Sequence, residues 1–125
     1  MSEAIQYSDE QPKVSAKKVP DPTGYRLLIA LPEVKEQTDG GIYVPDERRD
    51  AESVATIVGF VAKMGPEAYA NKERFPSGPW CEEGDWIVMR AYSGTRIRVH
   101  GQEFRIINDD SVEAVIENPM GVARA

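Results

Sequence analysis

The sequence predicts a small all-β domain, because its apolar residues fall in short runs of four to eight positions, Gly, Pro, Asn and Asp pairs separate those runs, and the segment richest in helix-formers allows only one or two turns. A chain of 125 residues holds one sizeable core and rarely two, so a single domain with extensions is expected.

The first element is the dense run Tyr25 to Leu31, which contains Leu27, Leu28 and Ile29 and is stopped by Pro32. It reads as a buried strand. Residues 1–21 before it are polar, with Ile5, Tyr7, Val14 and Val19 too scattered to define a face, and they read as a flexible arm. From Glu33 to Gly41 no period appears and Gly40-Gly41 gives the backbone its greatest freedom, which predicts a mobile loop. Ile42-Tyr43-Val44 interrupts this polar stretch with three strand-formers, followed at once by Pro45 and the charged run Asp46 to Asp50. An apolar triplet of that length is too short for a core strand of its own.

Val54 to Val61 is the next expected strand, with Gly59 as a bend or bulge. Trp86-Ile87-Val88-Met89, introduced by the turn pair Gly84-Asp85, is another. Ile97 and Val99 are expected to face Phe104, Ile106 and Ile107 across a hairpin turn at His100-Gly101. Val112 to Glu117 closes the series after Asn108-Asp109-Asp110. The fold that accommodates these strands is a sandwich or small barrel.

Between Met64 and Cys81 the character changes. Pro66, Pro76 and Pro79 punctuate a segment carrying Tyr69, Phe75 and Trp80, in which Glu67 to Arg74 has room for one or two helical turns. This is an excursion from the sheet and not a second domain. The expected organisation is an arm over 1–21, a domain over 22–118 and a tail over 119–125. Aromatic residues beside prolines cap a core or a seam between subunits, so Tyr69, Phe75 and Trp80 are expected to be shielded.

Composition excludes several classes of function. The net charge of −6, from 15 Lys and Arg against 21 Asp and Glu, repels polyphosphate and argues against nucleic acid as a partner. No run approaches the roughly 20 apolar residues of a membrane helix, and no secretory leader pattern opens the chain, so no membrane partner and a cytoplasmic location are expected. One cysteine, Cys81, permits no intramolecular disulfide, and its expected place is as a partly buried small side chain. His100 is the only histidine, and no phosphate loop, paired cysteines or HExxH motif is present, so neither an enzyme nor a cofactor or metal is expected. Asp109, Asp110 and Glu113 read as a solvated acidic turn and not as a cation site.

The order of these pieces resembles the GroES-type co-chaperonin family from about Pro22 to Glu117, and in its longer excursion, arm and tail it is similar to virus-encoded relatives. The resemblance rests on the buried strand Tyr25 to Leu31, then Gly40-Gly41 and Ile42-Tyr43-Val44, the run Val54 to Gly65, the excursion, the Gly84-Asp85 turn into Trp86-Ile87-Val88, and the closing hairpin and strand from Arg96 to Glu117. Tyr43 stands where the family usually has an aliphatic residue or Met.

The resemblance implies an irregular β-barrel of the GroES type with a mobile loop and a roof-like excursion. It further implies a self-associated ring whose loops, through Gly40, Gly41, Ile42, Tyr43 and Val44, grip the apical domains of a chaperonin and enclose an unfolded client. Tyr69, Phe75, Trp80 and Tyr92 would then belong to the cavity or roof, with Tyr92 similar to the family's cavity-facing tyrosine. Open sheet edges invite pairing, so Tyr25 to Leu31 and Val112 to Glu117 are expected to join neighbouring subunits. The other class of function compatible with such a chain is a structural component of a virion or other assembly, using the same barrel and ring without binding a chaperonin.

Overall fold

The computed structural model describes residues 19–32 and 52–125. Among these residues six strands form one antiparallel sheet: β1 (Arg26–Ala30), β2 (Val58–Met64), β3 (Trp86–Met89), β4 (Thr95–Val99), β5 (Gln102–Asn108) and β6 (Val112–Ile116). Their spatial order is β4-β5-β1-β2-β3-β6. A 3-10 turn over Asp109–Ser111 links β5 to β6. Among the described residues no helix is long and apolar enough to cross a membrane.

β1 lies inside the sheet, paired with β2 on one side and β5 on the other. Being covered on both faces, it reads as a continuous apolar run without alternation. Leu27, Ile29 and Leu31 join one core cluster with Val61, Ile87, Met89, Ile107 and Val112, while Leu28 and Ala30 join a second with Val58, Phe60, Trp86 and Phe104. Adjacent residues of one strand point to opposite faces, and here each face meets its own cluster. The position of β1 corrects the expected subunit pairing, because a strand hydrogen-bonded on both sides has no edge to offer a neighbour. Among the described residues β4 and β6 end the strand order, and of the two expected joining strands only β6 has a side without a partner there.

The expected strand Val54 to Val61 also needs correction. Residues 52–55 are helical and 56–57 a turn, so that β2 starts only at Val58 and runs on to Met64. Val54, Ile57 and Val58 recur at the three- and four-residue spacing of a helical face, and Thr56 secures the turn by donating from Oγ1 to the Ser53 carbonyl at 2.6 Å. The bulge lies at Ala62, between the pairs Leu28↔Lys63 and Ile29↔Val61, and not at Gly59. Gly59 serves a close approach, since a Cβ there would overlap Ile29 Cγ2.

The hairpin between β4 and β5 turns at His100 (φ 48°) and Gly101 (φ 79°). Two consecutive positive φ values give the type I′ geometry whose twist suits a two-residue hairpin, and they set Ile97 opposite Phe104. His100 is therefore a turn residue.

Candidate functional site: the loop foot and the aromatic excursion

Gly40, Gly41, Ile42, Tyr43 and Val44, the expected chaperonin grip, lie outside the described residues. What the structure places are the two points where segment 33–51 leaves and rejoins the sheet. On the leaving side, Leu31 is buried and its amide donates to the Glu103 carbonyl at 3.2 Å, so the chain stays fastened to β5 as far as Leu31.

On the rejoining side, the helical turn is held by two arginines of the β4–β5 hairpin. Arg96 bridges Glu52 at 2.6 Å and Glu103 at 2.7 Å, and Arg98 adds a contact to Glu103 at 2.8 Å. These bonds, first that from Arg96 and then that from Arg98, hold the Glu103 carboxyl below the usual carboxylate range. Arg105, buried within β5, donates from Nη1 to the Thr56 carbonyl at 2.7 Å. Burial lowers its pKa and the nearby Arg96 charge lowers it further, although a guanidinium remains protonated across the physiological range. The foot thus combines an exposed ion-pair network with one buried charge-assisted hydrogen bond, the stronger kind of contact.

The excursion folds back onto the first core cluster through isolated turns, and no α-helix forms over 67–74. Tyr69 (5% exposed) and Phe75 (3%) are buried, whereas Trp80 remains 44% exposed, which corrects the expectation that all three are shielded. The three rings pack on one another: Tyr69 and Phe75 edge to face at 4.9 Å, Phe75 and Trp80 edge to face at 4.9 Å, and Tyr69 against Trp80 at 5.9 Å. Such pairs contribute about 0.5–1.5 kcal/mol each beyond area burial. Tyr92 stands apart in the turn after β3, 71% exposed.

Asp109 fastens this segment. Its Oδ2 accepts from the Tyr69 amide at 3.0 Å and its carbonyl accepts from the Tyr69 hydroxyl at 2.8 Å. Asp110 adds an ion pair to Arg74 at 2.6 Å. The acidic turn is therefore not wholly solvated, because Asp109 is 2% exposed and acts as an internal anchor. Among the described residues no group of three or more His, Cys, Asp or Glu side chains is arranged to hold a metal ion. Cys81 is buried, 3.5 Å from the Tyr69 hydroxyl. Burial pushes both the thiol and the phenol upward, so neither ionises near neutrality.

Sequence reasoning missed Arg96, Arg105 and Thr56, and read Asp109 as a solvated turn residue where it is buried. Arg105 had left a signal, as a cation inside the apolar run Phe104 to Ile107 needs an internal partner.

A six-stranded antiparallel domain with a long segment leaving its β1–β2 connection and an excursion leaving β2–β3 has the element order of a co-chaperonin. Comparison with known proteins agrees. The family profile described as "Chaperonin 10 Kd subunit" matches residues 20–116. A protein called Co-chaperonin GroES from Caldicellulosiruptor saccharolyticus is 32% identical over 97 residues, 78% of this chain and 96% of the relative. Its namesake from Methylacidiphilum infernorum is also 32% identical over 97 residues, 77% of this chain and 92% of the relative. One from Corynebacterium diphtheriae is 29% identical over 92 residues, 74% of this chain and 88% of the relative. The chain belongs to the chaperonin 10 kDa subunit family, and its function is that of a co-chaperonin.

Proposed function

We propose that the chain forms a ring and caps a chaperonin by inserting Ile42 and Val44 of each subunit into apolar grooves of the apical domains, enclosing an unfolded client during ATP-dependent folding. The observation that carries this reading is the fixed footing of segment 33–51. Leu31 is tied to β5 on one side, and Glu52 and Thr56 are tied to Arg96 and Arg105 on the other. A binding segment with rigid feet loses less entropy on docking than one with loose feet.

The energetics favour many weak grips. Burying one Ile or Val side chain yields roughly 1.5–3 kcal/mol, while ordering each backbone residue costs roughly 1–2 kcal/mol. One loop alone binds poorly, and a ring makes each later contact intramolecular, with an avidity gain of roughly 10²–10⁴. Gly40 and Gly41 let the segment turn sharply against its partner. Of the four aromatic residues assigned to the cavity or roof, Trp80 and Tyr92 are the exposed pair suited to meet a client or a neighbour, while Tyr69 and Phe75 support the excursion from within.

The role needs no catalytic group, cofactor or nucleic acid, and its setting is the cytoplasm. A purely structural role in a virion would suit extended segments trapped between subunits. The excursion and the residues after β6 instead pack on the chain's own clusters, which supports the co-chaperonin reading. The test is retention of the ring on immobilised chaperonin with ATP and its release without nucleotide. Equal retention in both conditions, or none in either, refutes it.

A further inference from the structure

Beyond β6 the chain doubles back over the second core cluster. Asn118 Oδ1 accepts from the Met120 amide at 2.9 Å, the Pro119 carbonyl accepts from the Val122 amide at 3.2 Å, and Gly121 takes φ 79° between them. Pro119 is fully buried, and Val122 packs against the cluster that contains Leu28, Val58 and Phe60. This reversal carries Arg124 to two hydroxyls, as its Nη1 donates to Thr56 Oγ1 at 3.0 Å and to the Tyr92 hydroxyl at 3.1 Å. The same guanidinium lies 5.1 Å from the centroid of the Tyr92 ring, within cation–π range.

Thr56 is thereby held at every polar atom of its side chain and carbonyl. Its hydroxyl donates to the Ser53 carbonyl and accepts from Arg124, while its own carbonyl accepts from Arg105. A hydroxyl has one donor and two acceptor positions, so the two bonds at Oγ1 coexist. Tyr92 holds φ 59°, a conformation rare for a bulky residue. Arg124 is the side chain that ties this strained turn to Thr56.

We propose that residues 117–125 form an intrachain strap, seated by Pro119 and Val122 and closed by Arg124 on Thr56 and Tyr92, which fixes the foot where segment 33–51 rejoins the sheet and so sets the affinity for chaperonin. The structural half stands on the contacts above. The effect on affinity rests on the reading of 33–51 as the gripping segment.

The test is hydrogen exchange on full-length Arg124→Ala. With the strap open, the Thr56 and Ile57 amides, which donate to Ser53 and Val54 within the foot, exchange about three- to tenfold faster, the range expected for the loss of one cation–π contact and one or two hydrogen bonds near the surface. Amides of β1 and β5 keep their rates. In an ATP-dependent titration the variant binds chaperonin about three- to tenfold more weakly with the ring mass unchanged. Unchanged exchange at Thr56 and Ile57 overturns the strap, as does acceleration spread evenly through β1 and β5. Local acceleration with unaltered chaperonin affinity overturns the coupling. Ile42→Asp separates the two readings: if it binds like wild type the grip assignment fails, while the exchange result on Arg124→Ala is unaffected.

Discussion

Asp109 holds Tyr69 at both ends, taking the backbone amide on its Oδ2 at 3.0 Å and the phenol hydroxyl on its carbonyl at 2.8 Å. Tyr69 itself sits at φ 57°, a left-handed conformation that a tyrosine adopts only when its surroundings compel it. Asp109→Ala leaves a buried amide without its acceptor and is expected to cost about 1–3 kcal/mol. Tyr69→Phe keeps that bond and loses the hydroxyl contact, for about 1 kcal/mol. Thermal melting ranks the two. The larger loss should come with new protease cuts inside the excursion for Asp109→Ala, and equal losses would show that the amide bond is not the anchor.

Gly59 of β2 lies so close to Ile29 of β1 that a Cβ at position 59 would overlap Ile29 Cγ2. Gly59→Ala forces a methyl group into Ile29 Cγ2, and Ile29 is fully buried and cannot yield. The expected cost is about 1–3 kcal/mol. In an Ile29→Ala background that cost should shrink, because the clash has been removed. Additive losses in the double variant would place the strain elsewhere.

Glu103 should contribute acid sensitivity to the fold. Its native carboxyl titrates below the usual value of 4.5 because Arg96 and Arg98 bind the ionised form. The unfolded chain therefore takes up this proton at a higher pH than the native one. The stabilisation is full above about pH 4.5 and is lost as the pH falls through the lower native pKa. Melting curves of Glu103→Gln should be flatter than wild type over that acid range and lower at neutral pH. A wild-type acid slope in the variant would assign the effect to other carboxylates.

Assembly should use β6, which among the described residues ends the sheet and exposes Ala114 and Val115. Native mass spectrometry is expected to give one closed oligomer. Val115→Lys, which leaves the core untouched, should shift it toward monomer. A stable wild-type monomer at micromolar concentration would contradict the ring.

Much of the fold was legible because its strands are short apolar runs set off by turn residues. Trp86 to Met89 and the His100-Gly101 hairpin needed only that pattern. Position within the sheet was not legible, since nothing in Tyr25 to Leu31 says that β5 will pair on its far side. The helical turn at 52–55 was hidden because Val54, Ile57 and Val58 satisfy a short apolar run as well as a helical face. Asp109 was misread for a related reason: Asn108-Asp109-Asp110 looks like a wet turn until Tyr69, 40 residues away in sequence, arrives above it. Local composition reports propensity, while burial of a polar group depends on a partner that only the tertiary fold supplies.

The grip itself is tested most directly by replacing Ile42 and Val44 together with Asp and titrating the variant against chaperonin in the presence of ATP, with thermal melting and ring mass measured in parallel. On the proposed reading Ile42 and Val44 serve the partner and not the core, so the ring and its melting temperature should change within the small range of surface substitutions. Every subunit loses its anchor at once, and binding should disappear. Tyr43→Ser should matter less if the segment docks extended as proposed, since alternation would then turn Tyr43 away from the groove. Unchanged affinity in the double variant, or a ring that unfolds, would contradict the assignment of Ile42 and Val44 as the lid's hold on its partner.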